Sequence, residues 1–227
     1  MQGTLKIVGL GPGEAGYITR ETWKVLKAAK SDSLFLRTEI HPTVESLNKE
    51  GIRYQSYDHL YEAAQDFETL YQRIVEDLIA RVKDGADIVY AVPGSPVVAE
   101  KTVRLLRACG CRENLDIQVY AGLSFFELLC TTMQLDPVEG VAILDAVTLP
   151  EILPTLHLVI TQVYDQQVAS DLKLNLMEGL GDDTEIWYIH NLGLPDVSVR
   201  KIPLYELDRQ SDIDHLTSIY IPKPVNK

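Results

Sequence analysis

Apolar positions change their period several times along the chain, and each change marks a predicted element. A short apolar run with Ile7, Val8 and Leu10 reads as a strand and leads into GLGPGEAG, which carries Gly9, Gly11, Gly13 and Gly16. A helix is predicted from near Thr19, because Thr22, Val25, Leu26 and Ala29 recur at i, i+3, i+4 and i+7. Residues 33–36 form a second predicted strand, residues 42–49 a short helix closed by Gly51, and residues 52–54 a third short strand. The stretch 54–65 gathers Tyr54, Tyr57, Asp58, His59 and Tyr61 among polar residues, a composition that suits a ligand-touching loop and a plain surface loop equally. Phe67, Leu70, Tyr71, Ile74, Leu78, Ile79 and Val82 then hold helical spacing up to Gly85. The β-branched run 88–92 fits a strand covered on both faces and stops at PGSP, residues 93–96. A further helix presents Ala99, Thr102, Val103 and Leu106 before Gly110, and a strand at 117–120 leads into AGLSFFELL.

Strands alternating with helices over short links predict an open parallel α/β sheet with helices on both faces. The pattern changes after Leu135-Asp136-Pro137. Strands are predicted at 141–144, 157–163, 185–191, 197–203 and 218–221, and one helix at about 167–177. Sequential strands with few helices predict a mixed or antiparallel α+β unit. The expectation is therefore two domains, residues 1–121 and 122–227, with a ligand cleft between them.

Charge narrows the partners. The 227 residues hold 33 acidic against 21 basic ones, a net charge of −12, with no basic run. Nucleic-acid binding rests on clustered Lys and Arg, so it is excluded as an expectation. No apolar run approaches the ~18 residues of a membrane span and the start, MQGTLKIVGL, is not a signal sequence, so a cytoplasmic protein is expected. Cys109, Cys111 and Cys130 match neither zinc spacing nor a paired disulfide set; free thiols and no metal are expected.

Ligands of open α/β sheets bind outside the carboxyl ends of the strands, and three such ends here are glycine-rich: GLGPGEAG, PGSP and AGLS. Gly11, Gly13 and Gly16 fit the dinucleotide spacing G-x-G-x-x-G, and Glu39 or Arg37 after the second strand fits a ribose or phosphate partner. That keeps an NAD(P)-dependent oxidoreductase open. Against it, Pro12 removes an amide from the loop and the helix starts late.

GLGPG, VPGSPVVAE and AGLSFFELL, continued by HLVITQV, WYIHNLGLPD and LTSIYIP, resemble the tetrapyrrole (corrin and porphyrin) methylases over essentially the whole chain. More narrowly, the chain resembles the methylase-like N-terminal half of bacterial proteins fused to a MazG-type nucleotide pyrophosphohydrolase, whose clustered Glu motif is not found before Lys227. The resemblance implies a methyltransferase that uses S-adenosylmethionine, a homodimer, and a fused pyrophosphohydrolase in the longer protein. It implies that the cofactor is held by stretches matching Pro93, Gly94, Ser95 and Val98, Ser124 and Phe125, Gln162 and Val163, His190 and Asn191, and Leu216 and Thr217. Gly11, Pro12 and Gly13 would face the methyl acceptor, with Arg37 as a partner for acceptor carboxylates. Where many members have Gly-Asp-Pro this chain has Gly94-Ser95-Pro96, and Ala121-Gly122 stands for Pro-Gly. Members that methylate a peptide backbone or a modified histidine leave the acceptor open.

In-line methyl transfer draws on proximity and orientation and needs a base only if the acceptor must lose a proton. Tyr17, Tyr57, Asp58 and Tyr61 are the candidates for that base, each with ordinary packing as its alternative. His157, at the start of an apolar strand, is expected to be structural. A regulatory module that binds S-adenosylmethionine or a tetrapyrrole without turnover is the remaining alternative.

Overall fold

The structure is a computed structural model that describes residues 2–63, 66–149 and 155–224. The chain divides into two compact units, Met1–Glu127 and Leu128–Lys227. In the first, β1 (Thr4–Gly9), β2 (Leu34–Leu36), β3 (Gln55–Ser56), β4 (Ile88–Val92) and β5 (Asp116–Val119) form one sheet in the order β3-β2-β4-β1-β5. Every pairing in it is parallel. All five residues of β4 are buried because helices cover both faces. Alternate strand residues serve alternate faces. Leu5, Ile7, Tyr90 and Val92 join a core with α4 (Phe67–Lys83) and α5 (Lys101–Glu113), while Val8, Leu10, Val89 and Ala91 join one with α1 (Arg20–Ala28) and α2 (Pro42–Lys49). Each fully buried aliphatic side chain of this kind stabilises by about 1.5–3 kcal/mol.

Local chemistry sets the helix limits. The Thr19 hydroxyl accepts from Thr22 N–H at 3.1 Å and caps α1, and Asp66 accepts from Thr69 N–H at 2.7 Å and caps α4. Beyond α4, Gly85 takes the left-handed φ of 93° that a helix exit needs.

Several expectations are corrected. Residues 52–54 are not a strand: Gly51 N–H bonds Asn48 O and Ile52 N–H bonds Leu47 O at 3.0 Å, so Ile52 is the apolar anchor of a Schellman exit from α2, and pairing begins at Gln55. The aromatic stretch after it is not a loop throughout, because α3 (Asp58–Ala63) occupies its middle; residues 64–65 lie outside the described residues. Phe67 is 67% exposed and stacks on Tyr71 instead of entering the core. Ala99 precedes α5, exposed and at φ 52°. Gly110 lies inside α5, where an added Cβ would stand 2.4 Å from Ile117 Cδ1; the helix ends instead at Asn114, at φ 54°.

In the second unit β6 (Val141–Asp145), β7 (His157–Thr161), β8 (Glu185–His190), β9 (Ser198–Pro203) and β10 (Thr217–Ile221) run in the order β6-β7-β10-β8-β9. The β6–β7 pair is parallel and the others antiparallel. A helix, α7 (Gln166–Gly179), capped by Asp165, lays Ala169, Leu172 and Leu176 into a core with Leu158, Ile160, Ile186, Tyr188 and Ile219. The remaining helix, α6 (Phe125–Met133), carries the division between the units. Among the described residues, no helix is long and apolar enough to cross a membrane.

Candidate functional site

Because β1, β4 and β5 are parallel neighbours, the three glycine loops fall at one edge of the first sheet, and they touch. Gly11 and Gly94 form an antiparallel bridge, with Gly94 N–H donating to Gly11 O at 2.8 Å and Gly11 N–H to Gly94 O at 3.2 Å. A Cβ on Gly9 would meet Gly94 O at 2.2 Å, and one on Gly122 would meet Pro96 Cδ at 3.1 Å and Gly9 Cα at 3.5 Å. Glycine is therefore required here for backbone to approach backbone. Gly94, at φ 65°, meets nothing within 4 Å on its Cβ side, which leaves open space against its Cα while its amide and carbonyl are bonded to Gly11. Val97 and Leu123, of the second and third loops, are exposed, and Ser95 is buried. Ser124 opens α6 as a capping box: its N–H and hydroxyl both bond Glu127 Oε2, at 2.6 and 2.7 Å, and its Oγ accepts from Phe126 N–H.

The first loop is gripped from α2 by residues that sequence reasoning missed. Buried Thr43 reaches Leu10 O and Gly13 O, each at 3.0 Å, and His41 Nε2 lies 3.1 Å from Gly11 O. His41 Nδ1 accepts from Thr43 N–H as the cap of α2, so its proton sits on Nε2 and donates to Gly11. Burial, against the pull of the Gly11 carbonyl, pushes its pKa down to about 4. A polar residue followed by Pro42 at a helix start was the available signal, although nothing local connected it to a loop 30 residues earlier. A Cβ on Gly16 would meet nothing within 4 Å, and Gly16 lies inside a 3₁₀ turn, Ala15–Tyr17, that comes between the glycine loop and α1. The helix that follows the loop, α1, therefore does not open directly on the glycines, as a dinucleotide fingerprint would need.

Three of the four proposed bases, Tyr57, Asp58 and Tyr61, lie together at the start of α3. Tyr17 is half-buried in the 3₁₀ turn. Tyr57 is buried, stacks on Phe35 and donates to Asp77 at 2.6 Å; burial foremost, then that carboxylate, drives its pKa far up. Asp58 accepts from the Thr38 hydroxyl at 2.6 Å and Glu39 N–H at 2.7 Å; burial opposes its charge, but these bonds hold its pKa below the usual range. It braces the turn after β2. Tyr61, pushed up to about 12 chiefly by burial, lies near Arg37. The Arg37 guanidinium, which follows β2, pairs with Glu100 at 3.3 Å.

The second unit gathers its own stretches. Thr217 pairs with His190, and the β10–β7 register sets it level with Gln162, so the ends of β7 and β8 and the start of β10 share one edge. Gln162 and Asn191 both hold left-handed φ, 63° and 57°, a strain that non-glycine residues seldom carry. His190 has Asp214 Oδ1 3.1 Å from Nε2, out of hydrogen-bond alignment, and Asp212 Oδ2 3.7 Å from Nδ1. Arg200 fixes Asp212 through two bonds, at 2.6 and 2.9 Å. The aspartates were not foreseen. They sit in a turn whose Asp214 N–H donates to the Thr217 hydroxyl, a link invisible without the fold. His157 is structural, accepting from the Tyr220 hydroxyl at 2.7 Å beneath its stacked ring. Among the described residues, no group of three or more His, Cys, Asp or Glu is placed to hold a metal ion.

This chain is 42% identical over 224 residues to the uncharacterized protein YabN of Bacillus subtilis (strain 168), covering 98% of this chain and 45% of that protein. The chain thus spans less than half the length of that relative. Its fold is similar to that of a cobalamin biosynthetic enzyme, cobalt precorrin-4 methyltransferase CbiF, with a TM-score of 0.72 at 16% identity over 96% of this chain and 94% of that one. It is also similar to uroporphyrin-III C-methyl transferase from Thermus thermophilus complexed with S-adenyl homocysteine, with a TM-score of 0.67 at 15% identity over 97% and 92% of the two chains. The family model for Tetrapyrrole (Corrin/Porphyrin) Methylases matches residues 4–208. With two units of the expected topology and glycine loops meeting at the sheet edge, the chain belongs to the tetrapyrrole (corrin/porphyrin) methylases.

Proposed function

We propose that the chain binds S-adenosylmethionine and transfers its methyl group to an acceptor held against Gly11, Pro12 and Gly13. Pro93, Gly94, Ser95, Val98, Ser124 and Phe125 of the first unit and Gln162, Val163, His190, Asn191, Leu216 and Thr217 of the second hold the cofactor. The observation that carries this is the row formed by Gln162, Thr217 and His190: three stretches far apart in sequence come level at one strand end, with strained backbone at two of them. Open space on the Cβ side of Gly94 suits a ligand that approaches the backbone closely with few charged side chains.

The bound cofactor supplies an activated methyl group. The protein's part is to align the acceptor, which Thr43 and His41 serve by fixing the carbonyls of the first loop. If the acceptor must lose a proton, Tyr17 and Tyr61 are the better placed of the four candidates, since Tyr57 and Asp58 are engaged elsewhere. A melt decides the cofactor. S-adenosylhomocysteine at about 100 times its Kd should add about 2.7 kcal/mol, and a nicotinamide dinucleotide nothing. The opposite pattern would restore the oxidoreductase.

One observation favours binding without turnover: Ser95, standing where many members carry Asp, is buried. A regulatory module would still pass the melt but form no S-adenosylhomocysteine from S-adenosylmethionine with any tetrapyrrole or peptide acceptor. A cytoplasmic homodimer fused to a nucleotide pyrophosphohydrolase completes the proposal. Light scattering and pyrophosphate release by the longer protein test it.

A further inference from the structure

Beyond β10 the chain runs through Pro222, Lys223 and Pro224. Proline carries no N–H, so the Lys223 amide is the sole backbone donor of these three residues. It donates to His157 Nδ1, at the start of β7, at 3.3 Å. The same nitrogen faces the Tyr220 hydroxyl at 2.7 Å, and the two rings stack with centroids 5.8 Å apart. A backbone amide can only donate, so Nδ1 must hold a lone pair and the proton of the neutral ring sits on Nε2. The His157 side chain is 10% exposed, and Nε2 is buried with no hydrogen-bond partner among the described residues. Glu139 Oε2, on the 3₁₀ turn Pro137–Glu139, lies 3.6 Å from it. That carboxylate is already engaged: Lys223 Nζ lies 3.1 Å from the same oxygen and donates to the Glu139 carbonyl at 2.9 Å. Lys223 is thus held at its amide by His157 and at its ammonium by Glu139. From α6, Cys130 stands close enough to the Tyr220 hydroxyl to oppose its ionisation.

We propose that His157 is a proton-operated clasp on the segment after β10, shut when the ring is neutral and opened when it takes a second proton. Protonation puts a hydrogen on Nδ1, where it meets the Lys223 N–H donor to donor, and that bond is lost. The Tyr220 hydroxyl is indifferent, because it can turn from donor to acceptor. At Nε2 the charged ring draws Glu139, which then has two cations to serve, so the ammonium of Lys223 is loosened as its amide is released. Both attachments of one residue therefore fail together. The clasp lies at the opposite end of β7 and β10 from Gln162 and Thr217, so it stands whether or not that edge holds a cofactor.

NMR on the whole chain from about pH 8 to about pH 5, the range in which histidine ordinarily changes charge, tests this. Ring-nitrogen spectra at the alkaline end should show His157 with its proton on Nε2 and none on Nδ1. Exchange of the Lys223 amide with water, divided by its intrinsic rate at each pH, should speed up by about tenfold toward the acid end, as loss of one hydrogen bond allows. The two changes should share a midpoint. His157→Phe keeps a ring for Tyr220 to stack on but no acceptor, so its Lys223 amide should exchange fast at every pH. That variant also separates the response from that of His41, which lies in the first unit. Glu139→Gln removes the charge at a half-exposed site and should move ring titration and amide release to lower pH together. The clasp is overturned by a ring that stays neutral throughout, by a proton on Nδ1 at the alkaline end, or by a Lys223 amide whose protection survives ring protonation. It is equally overturned by an acid response that persists in His157→Phe, or by a release that stays in place while the ring titration moves in Glu139→Gln.

Discussion

His41 combines a helix cap, a tether to the first glycine loop and a titration in one side chain. The cap requires the neutral ring, whose Nδ1 accepts, while the Nε2 tether donates in either protonation state. Its pKa is about 4 in the fold against the ordinary 6.5, so between these values the unfolded chain binds more protons. Stability from this group is therefore complete above about pH 6.5 and declines as pH falls toward 4, by on the order of 1–3 kcal/mol. Urea unfolding from pH 7 to pH 4.5 should show this slope, and His41→Asn, which keeps a capping oxygen, should flatten it. An unchanged slope would place the titration elsewhere. Thr43 bears on the same loop without a charge. Thr43→Val removes its bonds to Leu10 O and Gly13 O from a buried site and should cost about 1–3 kcal/mol at any pH, read from the urea midpoint.

At the scale of elements, the two candidate edges are built by opposite means. The first brings loops together through missing side chains. Gly9→Ala would place a Cβ 2.2 Å from Gly94 O, which is backbone and has nowhere to go, so loss of about 1–3 kcal/mol is expected together with loss of S-adenosylhomocysteine binding. Retained binding in a folded Gly9→Ala protein would separate the ligand from that contact. The second edge stores strain in side-chain-bearing residues. Gln162→Gly relieves a φ of 63° and should raise stability by about 0.4–1 kcal/mol, measured by chemical unfolding. If Gln162 touches the cofactor, the same variant should bind S-adenosylhomocysteine more weakly, so stability and affinity move apart.

For the whole molecule, the two tryptophans fall one in each unit, Trp23 on α1 and Trp187 on β8. Trp187→Phe and Trp23→Phe therefore give one reporter of each unit. A cofactor held by both units should raise both fluorescence midpoints as S-adenosylhomocysteine is added, because binding to the native state stabilises whatever must be folded to bind. Movement of one midpoint alone would assign the ligand to a single unit. The net charge of −12 bears on solubility and on partners, not on this fold.

Periodicity in the sequence was enough to identify a parallel sheet covered on both faces followed by a mixed one, because burial on one helix face or both strand faces repeats locally at 3.6 or 2 residues. It also gave the three glycine loops, since connections in such sheets return to the same edge. Element ends were less legible: Ile52 and Gly110 have the composition of a strand start and a helix stop, yet one anchors a helix exit and the other makes room for Ile117. The roles of Tyr57 and Asp58 were out of reach, because Asp77 and Thr38, which engage them, lie about 20 residues away along the chain. The grip of His41 on Gly11 and the hold of His157 on Lys223 likewise required tertiary structure. Local pattern determines which residues are buried together, whereas hydrogen bonds between distant polar atoms depend on angles and distances that exist only after the sheet has brought its loops to one edge.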